Sequence, residues 1–304
     1  MPPHSPDERV QGTVMSNSVK GFGGALVAVL VGLGIAWAGS HGSITWHGLP
    51  LFAVCGLLAY AVQWVVFVPS FIAHTEHYFD LTGSITYLSL TLLALFAGNS
   101  DPRALVIATL VVIWALRLGS FLFVRVKQDG SDGRFDELKH SFPMFLMTWT
   151  LQGLWVFLTL AAALAAITSA EAVPLGPLAF AGIALWVLGF GMEAVADAQK
   201  RTFRKDPANA GRFITTGLWA WSRHPNYFGE ITLWVGIALI AAETLSGWRW
   251  VTMISPVFVY VLLNYISGVP LLESRGKKRW GDDPEYQAYK ARTPVLFPRP
   301  PRSG

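Results

Sequence analysis

The chain has 304 residues, 53% of them hydrophobic and 14% charged, with a mean hydropathy of +0.44. A soluble domain carries about 25% charged residues, so this composition excludes an ordinary soluble enzyme and points to a polytopic all-α membrane protein. The single cysteine, Cys55, excludes an internal disulfide and reads as core filler; no zinc-type Cys/His spacing is present.

Residues 1–18 are rich in Pro, Ser, Asp and Asn and read as a disordered or surface-lying N-terminus. They show none of the charged, apolar and small-residue sequence of a signal peptide. Apolar segments follow at about 20–38, 49–73, 81–98, 103–126, 142–168, 175–197, 227–243 and 250–272. The third is short, so seven or eight transmembrane helices are expected, in one membrane domain spanning residues 1–304. Gly/Pro punctuation at Gly39–Pro50, Gly98–Pro102 and Pro174–Pro177 separates some of them.

The connections 125–140, 199–224 and 273–304 hold four, six and eight Lys/Arg, whereas 169–174 and 243–250 hold none and one, Arg249. Cytoplasmic connections are the basic ones, so the three rich stretches are expected on the cytoplasmic side. This bias accounts for most of the formal +4 charge, and no nucleic-acid partner is implied.

The unusual polar residues gather on that side. In the fourth segment Trp114, Arg117, Phe121 and Arg125 share one helical face. Arg125 reads equally as an interface residue. Arg117 lies about two turns deeper, where a guanidinium needs an anionic partner, from the chain or from a ligand. The loop Asp129-Gly-Ser-Asp132-Gly-Arg134 reads as an ordinary polar turn.

Residues 191–230 hold six Lys/Arg between two apolar segments. Glu193 and Asp197 lie one turn apart near a helix C-terminus, where the helix dipole disfavours carboxylates. They suit ribose hydroxyls or amides, or pair with Arg117 or Arg204. Then comes the run Arg223-His224-Pro225-Asn226-Tyr227-Phe228-Gly229-Glu230. Pro225 fits a first helical turn. That helix start, with Arg223 and His224 beside it, suits an anion such as a pyrophosphate, and Arg204 and Arg212 add planar forks. Trp219, Trp221 and Tyr227 alternatively resemble an interfacial aromatic belt. After the last segment, Glu273 is followed by SRGKKRWGDDPEYQAYKARTP, helical from Pro284, which reads as a cover over the site or as a membrane-surface anchor.

RHPNYFGE, the upstream Glu193/Asp197/Arg204/Arg212 pattern and the WGDDPEYQAYKARTP tail resemble the steroid 5α-reductase family, bacterial relatives included, over residues 110–298. A shorter form of the motif recurs in sterol C14 and Δ7 reductases and in isoprenylcysteine carboxyl methyltransferases. The resemblance implies NADPH cradled between helices near the cytoplasmic face of, here, a bacterial inner membrane. It implies cofactor contacts from Arg117, Arg125, Glu193, Asp197, Arg204, Arg212, Asn226 and Glu230, joined by His224 and Glu273 of the adjoining basic cluster. The family has Asn where this chain has Glu193 and Arg125. Its substrate-binding Glu and Tyr correspond here to Phe67 and Trp114, which cannot act as acids.

A substitute is sought in the early segments. Asp80, Ser84 and Tyr87 fall on one helical face, with Gln63 on the neighbouring helix. A Tyr hydroxyl polarised by a carboxylate suits an enone oxygen, although a polar helix start with an interfacial Tyr has the same pattern. The expected function is NADPH-dependent reduction of the C=C bond of a hydrophobic enone, such as a 3-oxo-Δ4 steroid, by a monomer surrounded by membrane lipids. The rivals are an S-adenosylmethionine-dependent isoprenylcysteine-type methyltransferase and a non-catalytic lipid-binding membrane protein.

Overall fold

The computed structural model describes residues 6–129, 133 and 135–301, with side chains described at 17–120, 133 and 135–301. Ten α-helices are described: α1 (Pro6–Gly39), α2 (Leu51–Ile72), α3 (Phe79–Ala97), α4 (Pro102–Asp129), α5 (Phe142–Ile167), α6 (Pro177–Lys205), α7 (Pro225–Ala242), α8 (Ile254–Val261), α9 (Val269–Trp280) and α10 (Pro284–Arg292). A two-stranded antiparallel hairpin, Thr45–Trp46 with Leu49–Pro50, is the one described sheet.

Every apolar segment read from the sequence is helical over most of its length, and among the described residues seven helical stretches are long and apolar enough to cross a bilayer. The protein is an integral membrane protein of the all-α class. The segment that falls short is α7, not the third: α3 qualifies with 19 residues, whereas the 18-residue α7 carries Asn226 and Glu230 in its first two turns. Within the N-terminal stretch read as disordered or surface-lying, α1 begins at Pro6, where a first-turn proline followed by Asp7 and Glu8 suits a helix start.

The chain divides into two compact units, Met1–Pro174 with Thr244–Thr252, and Leu175–Glu243 with Met253–Gly304. In the first unit α5 is the central post. It packs against α1, α2, α3 and α4, and 89% of its apolar window is buried, against 28–44% for those four. Its second half, Val156–Ile167, is built largely of Leu and Ala. Small side chains on every face let four neighbours approach at once. Cys55 is buried here, consistent with filler.

The C-terminal end of α5 and the connection after it are held by two buried arginines, Arg249, read from the sequence only as a loop charge, and Arg103, not singled out there. Arg249 donates to the carbonyls of Ala165 and Thr244 (the latter 3.1 Å) and to Ser169 Oγ at 3.3 Å. Arg103 donates to the carbonyls of Val173, at 3.1 Å, and Pro174. Helix ends leave carbonyls without intrahelical partners, and these guanidinium forks supply donors. Arg249→Met keeps an unbranched apolar stem but strands those acceptors, at about 1–3 kcal/mol. The thermal midpoint of the purified protein should fall by several degrees; an unchanged midpoint would show that the fork is dispensable.

In the second unit α6 and α7 run antiparallel along a seam of glycines. A Cβ at Gly182 would lie 2.5 Å from the Gly236 carbonyl oxygen, and one at Gly229 would lie 2.6 Å from that of Gly189. The two backbones touch directly, and nothing larger than glycine fits between them. The connection after α6 is pinned on both sides: Trp219 Nε1 donates to Ala196 O at 3.0 Å, and the Tyr289 hydroxyl donates to Trp219 O at 2.7 Å. Arg223 N also bonds Pro294 O, at 2.9 Å. These bonds tie α6, the turn before α7 and the C-terminal tail into one frame.

Candidate functional site

That frame encloses a cavity of about 260 Å³. The last turns of α6 contribute Lys200, Phe203 and Arg204, and the following connection contributes Arg212, Phe213, Trp219, Arg223 and His224. From α9 come Leu272, Glu273, Arg275, Gly276, Arg279 and Trp280, and from α10 Tyr286 and Tyr289. Six of these residues are Lys or Arg, and Glu273 is the one acid on the wall.

Glu273 is already engaged. Its Oε2 accepts from Arg223 Nη1 at 2.7 Å and from Lys290 Nζ at 3.2 Å, and its Oε1 lies 3.2 Å from His224 Nε2. Among the described residues Arg204, Arg212, Arg275 and Arg279 form no ion pair. The wall therefore keeps a surplus of positive charge directed at whatever occupies it. His224 is buried at 4% exposure. Burial lowers its pKa below the usual histidine value, with Glu273 opposing and Arg223 and Lys200 assisting, so the imidazole is neutral at pH 7. Its proton belongs on Nε2, facing the carboxylate, which leaves Nδ1 as a buried acceptor with no partner on the protein.

The other half of the wall is aromatic. Phe213 packs on Trp280 (ring centroids 5.6 Å apart) and on Tyr286 (5.0 Å), and Trp280 Nε1 donates to Gly211 O at 2.6 Å. Lys200 sits 4.3 Å above the Trp219 ring. The tail is helical from Pro284, and α9 and α10 form part of the wall.

Of the residues singled out by sequence, Arg204, Arg212, His224 and Glu273 meet on this cavity. Glu193, Asp197, Asn226 and Glu230 lie along the α6–α7 seam and are not part of its lining. Asp197 Oδ1 accepts from Asn226 Nδ2 at 3.2 Å, and Glu193 is buried against Gly229, whose Cβ would lie 2.7 Å from the Glu193 amide nitrogen. The glycine seam is what brings the two helices close enough for that pairing. Sequence reasoning missed Lys200, Arg275 and Arg279; the spacing of the last two, one helical turn apart in α9, was the available signal.

In the first unit Tyr87 is buried and packs edge-on against Trp114, with ring centroids 5.0 Å apart at 87°. Ser84 also faces α4, against Gly119, and its hydroxyl bonds the Asp80 carbonyl at 3.2 Å. The shared face of Asp80, Ser84 and Tyr87 is therefore turned toward α4. Gln63 belongs elsewhere: fully buried, it donates to Thr86 Oγ1 at 2.8 Å. Arg117 is half-buried on α4, while the side chain of Arg125 and most of the loop at 130–134 lie outside the described residues.

Fold and site together define a polytopic helical membrane protein with a cationic, aromatic-walled cavity in its second unit. The chain belongs to the family described as protein of unknown function (DUF1295), whose family model matches residues 64–293. It is similar to the probable O-methyltransferase ustE of Ustilaginoidea virens, at 34% identity over 67 residues, 22% of this chain and 23% of that one. It is also similar to the uncharacterized protein C594.04c of Schizosaccharomyces pombe, at 32% identity over 103 residues, 32% of this chain and 27% of that one. The chain thus spans about a quarter of the length of these curated relatives. No solved structure matches it.

Proposed function

We propose that the protein is an NADPH-dependent membrane reductase acting on the C=C bond of a hydrophobic enone, such as a 3-oxo-Δ4 steroid. The observation that carries this reading is the surplus of guanidinium groups on an aromatic-walled cavity. NADPH carries a pyrophosphate and a further 2′-phosphate, and planar Arg forks match phosphate oxygens. Arg204, Arg212, Arg275 and Arg279 would hold those groups. His224, which lines the cavity, would add an acceptor for a ribose hydroxyl or an amide. At about 260 Å³ the cavity falls just below the roughly 300–1,000 Å³ usual for ligand pockets, a size suited to the phosphorylated portion of the dinucleotide.

The bound cofactor would supply the reducing equivalents. The chain's own part is to hold the phosphates, exclude water and hydrogen-bond the ketone oxygen. Tyr87 is the candidate donor for that last role, with the Asp80 carboxylate polarising its hydroxyl; Gln63, whose amide already serves Thr86, is the alternative donor. The Lys/Arg bias of the connections favours a cytoplasmic mouth for the cavity.

A second reading, methyl transfer from S-adenosylmethionine, draws support from the fungal relative named as a probable O-methyltransferase. That donor has no phosphate and bears a sulfonium cation, which a wall of six Lys/Arg opposes. Thermal unfolding in nanodiscs with each cofactor separates the two. NADPH at a hundred times its Kd should stabilise by about 2.7 kcal/mol, and S-adenosylmethionine should leave the midpoint unmoved. The reverse pattern would replace the reductase by a methyltransferase, and no shift with either would leave a lipid-binding role.

A further inference from the structure

Between α8 and α9 the backbone forms a π-helical turn, Leu262–Ile266, inside the stretch Gly247–Trp280 that is long and apolar enough to cross a membrane. Its signature bond runs from Ser267 N to Leu262 O at 2.9 Å. Such bulges are rare and concentrate at functional sites. On a regular α-helix residues five apart point about 140° away from each other. Widening the turn swings Tyr265 round toward Tyr260, so that their hydroxyls stand 3.4 Å apart, with Asn264 Nδ2 3.4 Å from the Tyr260 hydroxyl. Two phenols and an amide converge on one spot because of the bulge.

That spot faces outward. Tyr265 is 63% exposed, and the neighbouring Val257, Val261 and Ile266 are exposed as well. Hydrocarbon offers such groups no hydrogen bonds, and polar side chains kept within a membrane span mark function by default. Nor do the three satisfy one another. A good O–H···O bond has its oxygens about 2.7–2.8 Å apart, so contacts at 3.4 Å leave donor capacity unspent.

The bulge is linked to the cavity through two contacts. Gly268 lies two residues beyond it, and a Cβ there would lie 2.9 Å from the Tyr227 ring. Tyr227 in turn stacks on the cavity residue His224, with centroids 5.6 Å apart and planes 11° from parallel.

We propose that Tyr260, Asn264 and Tyr265 form a hydrogen-bonding notch that receives the carbonyl oxygen of a lipid-soluble ketone arriving through the bilayer, a station separate from the reducing site in which Tyr87 is the candidate donor. A ketone oxygen accepts and never donates, which suits converging O–H and N–H donors. The notch binds and moves no proton. Its ligand class rests on the reductase reading, but its occupancy is measured without turnover.

The test labels the protein with 3-fluorotyrosine, assigns the Tyr260 and Tyr265 resonances through Tyr260→Phe and Tyr265→Phe, and titrates progesterone into nanodiscs of ether-linked phosphatidylcholine. Both resonances should shift saturably, and progesterone affinity should fall at least tenfold in the double variant, while NADPH-induced thermal stabilisation stays at the wild-type value. No saturable shift in the wild-type protein, or equal affinity in the double variant, overturns the notch. The same shift produced by ester-linked lipid alone would assign the site to lipid carbonyls and overturn it too. Loss of the NADPH effect in the wild-type protein would instead fall on the reductase reading.

Discussion

Arg204→Ala and Arg212→Ala should each weaken NADPH binding about ten- to hundredfold, because a hydrogen bond to a charged group contributes about 1.5–3 kcal/mol and each 1.4 kcal/mol is a factor of ten. Both side chains are exposed on the cavity wall and neither forms an ion pair among the described residues. Their removal therefore leaves the fold untouched, and the unfolding midpoint without cofactor should not move. Lys205→Ala is the matched control, an exposed cation one residue along α6 that does not line the cavity. The two arginines share one polyanion, so the double variant should lose less than the sum of the single losses. Titration of intrinsic tryptophan fluorescence with NADPH reads all of these affinities. Equal affinity in wild type, Arg204→Ala and Arg212→Ala would remove the nucleotide from the cavity.

Gly229→Val should be the most damaging substitution in the second unit. The first added carbon would lie 2.6 Å from the Gly189 carbonyl oxygen and 2.7 Å from the Glu193 nitrogen, both backbone atoms that cannot turn aside. Overpacking costs about 1–3 kcal/mol even where side chains can adjust, and here two helices must separate. Helix propensity works in the opposite direction, since replacing glycine within a helix gains at most about 1 kcal/mol. Gly191→Ala on α6 isolates that gain, because nothing lies within 4 Å of its Cβ. The unfolding midpoint should therefore fall for Gly229→Val and hold or rise for Gly191→Ala. The Asp197–Asn226 bond should open with the seam, and NADPH affinity should fall with it. A Gly229→Val protein as stable as wild type would show that the seam is slack.

What could be read from the sequence depended on how far apart the cooperating residues lie along it. The first seven helices were legible because each is announced by its own apolar run, and α10 because Pro284 opens it; α8 and α9 were not told apart, since the single run 250–272 covers α8 and the start of α9. Arg204, Arg212 and His224 were legible for the same reason: one basic stretch lies between two apolar ones. The far wall was not. Arg275 and Arg279 reach the cavity only through the fold of α9, some 70 residues beyond Arg204. Gly182 and Gly189 looked like ordinary glycines in an apolar helix until their partners Gly236 and Gly229 came opposite them. The π-turn was invisible, because Leu-Leu-Asn-Tyr-Ile reads as plain α-helix when hydrogen-bond register is unknown. The start of α1 was not separated from the polar stretch 1–18, read as disordered or surface-lying, because composition alone does not reveal the helix start that Pro6, Asp7 and Glu8 provide.

The seam also bears on how the chain enters its membrane. With 18 residues and two polar side chains near its start, α7 gains less from hydrocarbon than the longer helices do. Joined to α6 through the 19-residue connection 206–224 and fitted to it glycine against glycine, it is suited to enter as one arm of a hairpin, its amide and carboxylate shielded by the partner arm. Insertion of the second unit would then be a paired event, and a change that loosens α6 from α7 would be felt during biosynthesis, before any ligand is met.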